Sequence, residues 1–110
     1  MLEKKLRVNI DSEISYVLKK GKRVTTDELS LLYLPNRRNF SRFGFIVSKK
    51  VSNKTTQRNL VKRRMRYVAG NIRHKVAPGF DYILIARPKI KSLDFAKLQE
   101  KIIFLFQRVK

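Results

Sequence analysis

The sequence predicts a single α+β domain in the order helix, two or three strands, helix, strand, helix. Three observations carry that reading. The chain has 110 residues, a length at which a second independent core could not bury enough apolar surface. Short runs of strand length occur at Leu29 to Leu34, Arg42 to Ser48 and Asp81 to Ala86. Two longer stretches carry apolar residues three and four apart, first Val61, Met65, Val68 and Ile72, then Leu98, Ile102, Leu105 and Val109. That is the period of a helix with one buried side.

The first helix is read from "DSEISYVLKKG". Asp11 is its N-cap, Ile14, Val17 and Leu18 share one face, Gly21 follows the last turn, and Ile10 can staple onto Ile14 or its neighbour. A strand around Arg23 and Val24 is only weakly signalled. "LSLLYL" partly alternates, and "PNRRN" supplies turn residues after it, so strands 29–34 and 42–48 are expected to pair as an antiparallel hairpin. The second helix runs from about Thr56 to Ile72 and is broken by "HKVAPG". "DYILIA" is almost continuously apolar, as a strand buried on both faces should be. The strand, helix, strand succession places 42–48 and 81–86 in one sheet. Arg87-Pro88 ends the last strand, and the final helix starts at Ser92 or Asp94.

Charge then narrows the partner. Twenty-seven Lys and Arg against eight Asp and Glu give +19, and self-repulsion on that scale opposes compaction unless a polyanion offsets it. The apolar fraction of 43% and the four Tyr and seven Phe exclude a disordered basic tail. The longest wholly apolar run, Ile102 to Phe106, is too short to span a bilayer, and Trp is absent, which argues against a membrane partner. The first ten residues lack a secretory pattern and there is no Cys, so a cytoplasmic location without thiol chemistry is expected. Of the partners with dense negative charge, nucleic acid leads over an anionic membrane surface or an acidic protein.

Within the second helix, "RNLVKRRMR" holds five basic residues, four of them Arg. At about 100° per residue with Arg58 at zero, Lys62 falls near 40°, Arg66 near 80°, Asn59 near 100° and Arg63 near 140°. Val68, Val61, Ile72 and Met65 lie between roughly 280° and 340°. A charge run usually solvates an exposed face, but such faces mix signs to gain pairs one turn apart. From Lys49 to His74 there is no Asp or Glu. The stretch reads as a cationic ridge for RNA or DNA, its guanidinium groups suited to gripping phosphate bidentately and stacking on bases.

"RFGFIVSKK", seven further residues and then "RNLVKRRMR" resemble the bacterial ribonuclease P protein subunit. The family motif Arg-Asn-x-x-Lys-Arg-x-x-Arg is matched by Arg58, Asn59, Lys62, Arg63 and Arg66. The likeness extends through Gly44, Val47, Ser48, Lys49 and Lys50, and through "LKKGKRV" and "DYILIARP". The resemblance implies a four-stranded mixed sheet in the order α-β-β-β-α-β-α, with the basic helix in a left-handed β-α-β crossover, against the usual hand. It also implies a protein that joins a catalytic RNA, the particle cleaving the 5′ leader from precursor tRNA. The magnesium this hydrolysis needs would be held mainly by the RNA, with none bound by the protein, and no obligate protein partner follows. By the same resemblance, RNA-binding residues are Arg42, Ser48, Lys49, Lys50, Arg58, Asn59, Lys62, Arg63 and Arg66. The leader would lie in a cleft between the first helix and the sheet, at Ile14, Leu18 and Tyr33. The family often has aromatics at two first-helix positions, here Ile14 and Leu18, which cannot stack on bases. Tyr16 is a nearby aromatic, and Thr55 replaces a common Ala before the motif helix.

The chain's own residues do not assemble a nuclease site in sequence. Glu3, Asp11, Glu13, Asp27, Glu28, Asp81, Asp94 and Glu100 are scattered, and the lone His74 sits among cations, whereas protein nucleases gather carboxylates around magnesium or place a His beside a nucleophile. The whole chain is therefore expected to be one RNA-binding domain, accessory to a catalytic RNA. A structural RNA-binding protein, such as a small ribosomal protein, is the alternative that shares its charge and size.

Overall fold

The computed structural model describes residues 6–8 and 11–109; the Ile10 staple lies outside them. Helix α1 spans Asp11–Lys20, strand β1 Lys22–Thr25, β2 Leu29–Pro35 and β3 Arg42–Ile46. Helix α2 covers Thr55–Ile72, β4 Phe80–Ala86 and α3 Phe95–Gln107, with a 3-10 turn at Pro88–Ser92 before it. The weak strand near Arg23 forms. Asp94 caps α3 by accepting from the Lys97 N–H at 2.8 Å. Asp11 belongs to the first turn of α1 rather than preceding it.

The four strands lie in the order β1-β2-β4-β3, with β3 and β4 parallel and the other neighbours antiparallel. This corrects the expected hairpin: β2 and β3 are not neighbours, because β4 inserts between them. Leu31 pairs with Leu84, and Phe45 pairs with Leu84 from the other side. The reason is burial. The "DYILIA" run has apolar side chains for both faces, so an inner position covers both, while the loop 36–41 steps across the width of β4 instead of turning tightly. α2 is the crossover that joins parallel neighbours β3 and β4.

Alternation along the strands divides the core in two. Leu29, Leu31 and Tyr33 of β2, Phe43 of β3, and Tyr82, Leu84 and Ala86 of β4 pack against Met65, Val68 and Ile72 of α2 and Leu98, Ile102 and Leu105 of α3. The stripes seen in the sequence are these contacts. On the opposite face Leu32 and Ile83 meet Val17 of α1 and Val8, with Ile14, Leu34, Ile46 and Ile85 at the margin. Tyr82 donates its hydroxyl hydrogen to the Ala77 carbonyl at 2.6 Å, and burial pushes its pKa up to about 12.

Gly21 follows α1 for lack of space. Its N–H donates to the Val17 carbonyl at 2.7 Å, and a Cβ there would lie 2.6 Å from that oxygen and 3.0 Å from the Tyr33 carbonyl. Both obstacles are backbone, so the turn into β1 must shift to admit any side chain. Gly21→Ala should lower the free energy of unfolding by about 1–3 kcal/mol, measured as a fall in the urea midpoint with an unchanged slope.

Candidate nucleic-acid interface

The loop after β3 and the N-terminal half of α2 form a continuous cationic surface. A turn closed by the Val51 N–H to the Ser48 carbonyl at 3.0 Å, with the Ser48 hydroxyl accepting from the Lys50 N–H at 3.3 Å, leaves Lys49 and Lys50 exposed. Val51, fully buried, anchors it to the α2 side of the core. α2 starts without a side-chain cap on its N-terminus. Arg58 binds the loop instead, donating to the Ser52 carbonyl at 2.9 Å and to the Thr55 hydroxyl at 3.2 Å. These bonds use two of the five N–H donors of a guanidinium.

The ridge is not uniformly exposed. Arg58, Lys62 and Arg66 are half-buried, whereas Asn59, Arg63 and Arg64 are exposed. Arg66 lies over the Phe45 ring of β3 at 5.9 Å, and its Nε is buried without a hydrogen-bond partner. The row one turn apart therefore follows the margin between α2 and the sheet. The helical wheel alone could not show this, because Phe45 and the loop that narrow the exposed arc come from other elements.

Arg42, expected in the RNA-binding set, is on the other face of the sheet. Its Nε and Nη2 donate to the Asp81 carboxylate at 2.9 and 2.7 Å, and Nη2 and Nη1 donate to Glu13 at 3.0 and 3.4 Å. The hydrogen bond to Asp81 is the main cause that holds the Arg42 pKa above its ordinary value, despite burial. Asp81 also accepts from the Asn36 amide at 2.9 Å. Two acids far apart in sequence are thus brought together, but around a guanidinium. Among the described residues no group of three or more His, Cys, Asp or Glu comes together to hold a metal.

Tyr33 is likewise displaced from the expected cleft. It is buried on the α2 and α3 side, in an edge-on contact with Phe80 at 5.8 Å. The alternation of β2 gives the α1 side to Leu32 and Leu34 instead. Ile14 does line the margin of that side, and Leu18 is 38% exposed. An open cleft of about 810 Å³ lies along the other flank of α1, lined by Ser12, Glu13, Tyr16, Leu34, Arg37 and Arg38 among others. Tyr16 is 58% exposed. Arg37 adopts a left-handed φ of 60°, and the Asn36 side-chain oxygen accepts from the Arg38 N–H at 2.9 Å. The "PNRRN" turn signal marked the loop; only the fold put it beside Tyr16.

The sequence model of the Ribonuclease P family matches residues 2–110. The chain belongs to the ribonuclease P protein family. It is 28% identical over 109 residues to the ribonuclease P protein component of Streptococcus pneumoniae, covering 99% of this chain and 88% of that one. Among solved structures, the RNase P protein of Thermotoga maritima in complex with 1-(4-fluorophenyl)-2-thiourea superposes with a TM-score of 0.87 at 27% identity, covering 94% of this chain and all of that one. The Staphylococcus aureus RNase P protein shares the fold with a TM-score of 0.84, covering 93% of each chain at 23% identity. Membership makes this chain the protein component of an endoribonuclease ribonucleoprotein of tRNA processing, with the ribonuclease P RNA as its partner. Among the described residues no helix is long and apolar enough to cross a membrane.

The Arg42–Asp81 pair lines the cleft beside Tyr16, where Arg42 also reaches Glu13. The Arg42 side chain is 12% exposed and that of Asp81 10%. Arg42→Ala would leave a buried carboxylate without its cation, so stability should fall by about 3–5 kcal/mol. Glu13→Gln should cost less, since Glu13 is more exposed at 30%. Urea unfolding of the two variants checks the order.

Proposed function

We propose that this subunit acts in the cytoplasm as one RNA-binding domain, with its two faces assigned to two RNAs. The surface of Ser48, Lys49, Lys50, Arg58, Asn59, Lys62, Arg63 and Arg66 takes the catalytic RNA. The α1 face takes the single-stranded 5′ leader of precursor tRNA, along Ile14 and Leu18 and into the cleft beside Tyr16. The observation that carries this reading is the acid-free cationic surface, opposite a face whose carboxylates Glu13 and Asp81 are neutralised by Arg42. Magnesium for the hydrolysis is held by the RNA, and the protein screens the repulsion between two polyanions. Tyr16 supplies the stacking surface that Ile14 and Leu18 lack.

The deciding assay is leader removal from precursor tRNA by a cognate catalytic RNA in low magnesium, with and without this chain. Stimulation is expected, and its absence would sink the reading. Ala at Lys49, Lys62 and Arg63 together should weaken catalytic-RNA binding and flatten its dependence on salt, by roughly 0.7 to 0.9 in log K per log salt for each phosphate that is no longer neutralised. Leu18→Phe should tighten binding of precursor tRNA but not of mature tRNA, because only the precursor brings a leader to stack. Weaker precursor binding would place the leader elsewhere.

A further inference from the structure

A second feature of α2 lies beyond the motif residues. Tyr67 is 54% exposed and Phe95, the first residue of α3, 38% exposed. Their ring centroids are 5.8 Å apart at an angle of 56°. The two rings, with Leu60, Arg63 and Arg64, line an open pocket of about 400 Å³. Two adjoining exposed rings that line one pocket differ from the singly scattered apolar residues usual on a protein surface.

The charges at the rim select the occupant. Arg63 and Arg64 are exposed on either side of the ring of Tyr67 on the helical wheel, near 140° and 240° with Tyr67 near 180°. No carboxylate occurs from Lys49 to His74, and the neighbouring Asp94 accepts from the Lys97 N–H. An apolar peptide would leave both guanidinium groups unmatched. An unpaired nucleotide offers a flat base to the rings and phosphates to the arginines. Arg63 also belongs to the cationic surface, so the pocket continues that surface around the helix.

We infer that Tyr67, Phe95, Arg63 and Arg64 form a stacking platform for an unpaired base of an RNA that lies along α2. This rests on the reading of α2 as an RNA-binding helix, and deepens it by requiring a single-stranded element in the bound RNA. A duplex keeps its base faces stacked internally, so only a bulge, loop or strand end can fill the pocket.

The test uses the full chain and a short polyadenylate strand carrying a fluorescent adenine analogue, alone or annealed to its complement. Tyr67→Leu should weaken binding of the single strand roughly 5- to 100-fold and abolish quenching of the analogue. Tyr67→Phe should keep both, since it keeps the ring. Duplex affinity should be the same in all three proteins, and Tyr67→Leu should leave the salt slope unchanged, because stacking releases no counterion. The platform is overturned if Tyr67→Leu binds and quenches like the unaltered chain, or if strand and duplex weaken equally. It is also overturned if Tyr67→Leu removes self-association while RNA binding is kept, which would assign the patch to a second copy. Lys62→Ala with Arg63→Ala separates the two levels. If that pair changes neither affinity nor slope, the reading of α2 fails and the platform with it. If it weakens binding while Tyr67→Leu does not, the platform alone fails.

Discussion

Arg42 joins three elements that the chain visits far apart, α1 through Glu13, β3 through its own backbone and β4 through Asp81. Arg42 and Asp81 are also register partners in the parallel β3–β4 pair. A one-residue slip would turn Arg42 to the other face and leave Asp81 buried without a cation, so the clamp sets register as well as orientation. The apolar cluster beneath α1 is small, with Val8, Val17, Leu32 and Ile83 at its centre. The position of α1 therefore depends on a polar contact to an unusual degree, and the cleft along α1 inherits that position.

The opposite face is held differently. Two helices there cover a large continuous core, whose stacked rings of Phe43 and Tyr82 lie 5.4 Å apart. With that burial secured, α2 tolerates like charges one turn apart, which repel. Part of the repulsion is relieved inside the protein, by Arg58 on the loop carbonyl and Arg66 on the Phe45 ring. The exposed remainder, Lys49, Lys50, Arg63 and Arg64, is what a polyanion can offset. The same arginines that make the free protein self-repelling make it suited to a dense phosphate surface.

Placing the motif-helix cations on one sheet face and the clamped carboxylates on the other gives a small protein two surfaces of different character. β4 makes this possible. Its residues alternate between Tyr82 and Leu84 toward α2 and α3, and Asp81, Ile83 and Ile85 toward α1. A strand with one polar face could not serve both layers.

Most elements were legible in the sequence, because apolar period and cap chemistry are local. The stripe of α2, the Asp94 cap and the doubly buried β4 all follow from spacing and residue type. The motif from Ser48 to Arg66 likewise marks the family and its RNA partner in one stretch of chain. Strand order, the face taken by Tyr33, and the partner of Arg42 were not legible, since each depends on residues distant in sequence. β4 could displace the expected hairpin only because a doubly apolar strand gains more at an inner position than a tight turn does. Arg42 looked like one more cation of the motif, and tertiary structure alone brought two carboxylates to it. The sequence by itself determined which helices and strands form and that the chain meets RNA. The tertiary structure decided which cations remain free to do so, because burial and pairing are properties of neighbours that the fold assembles.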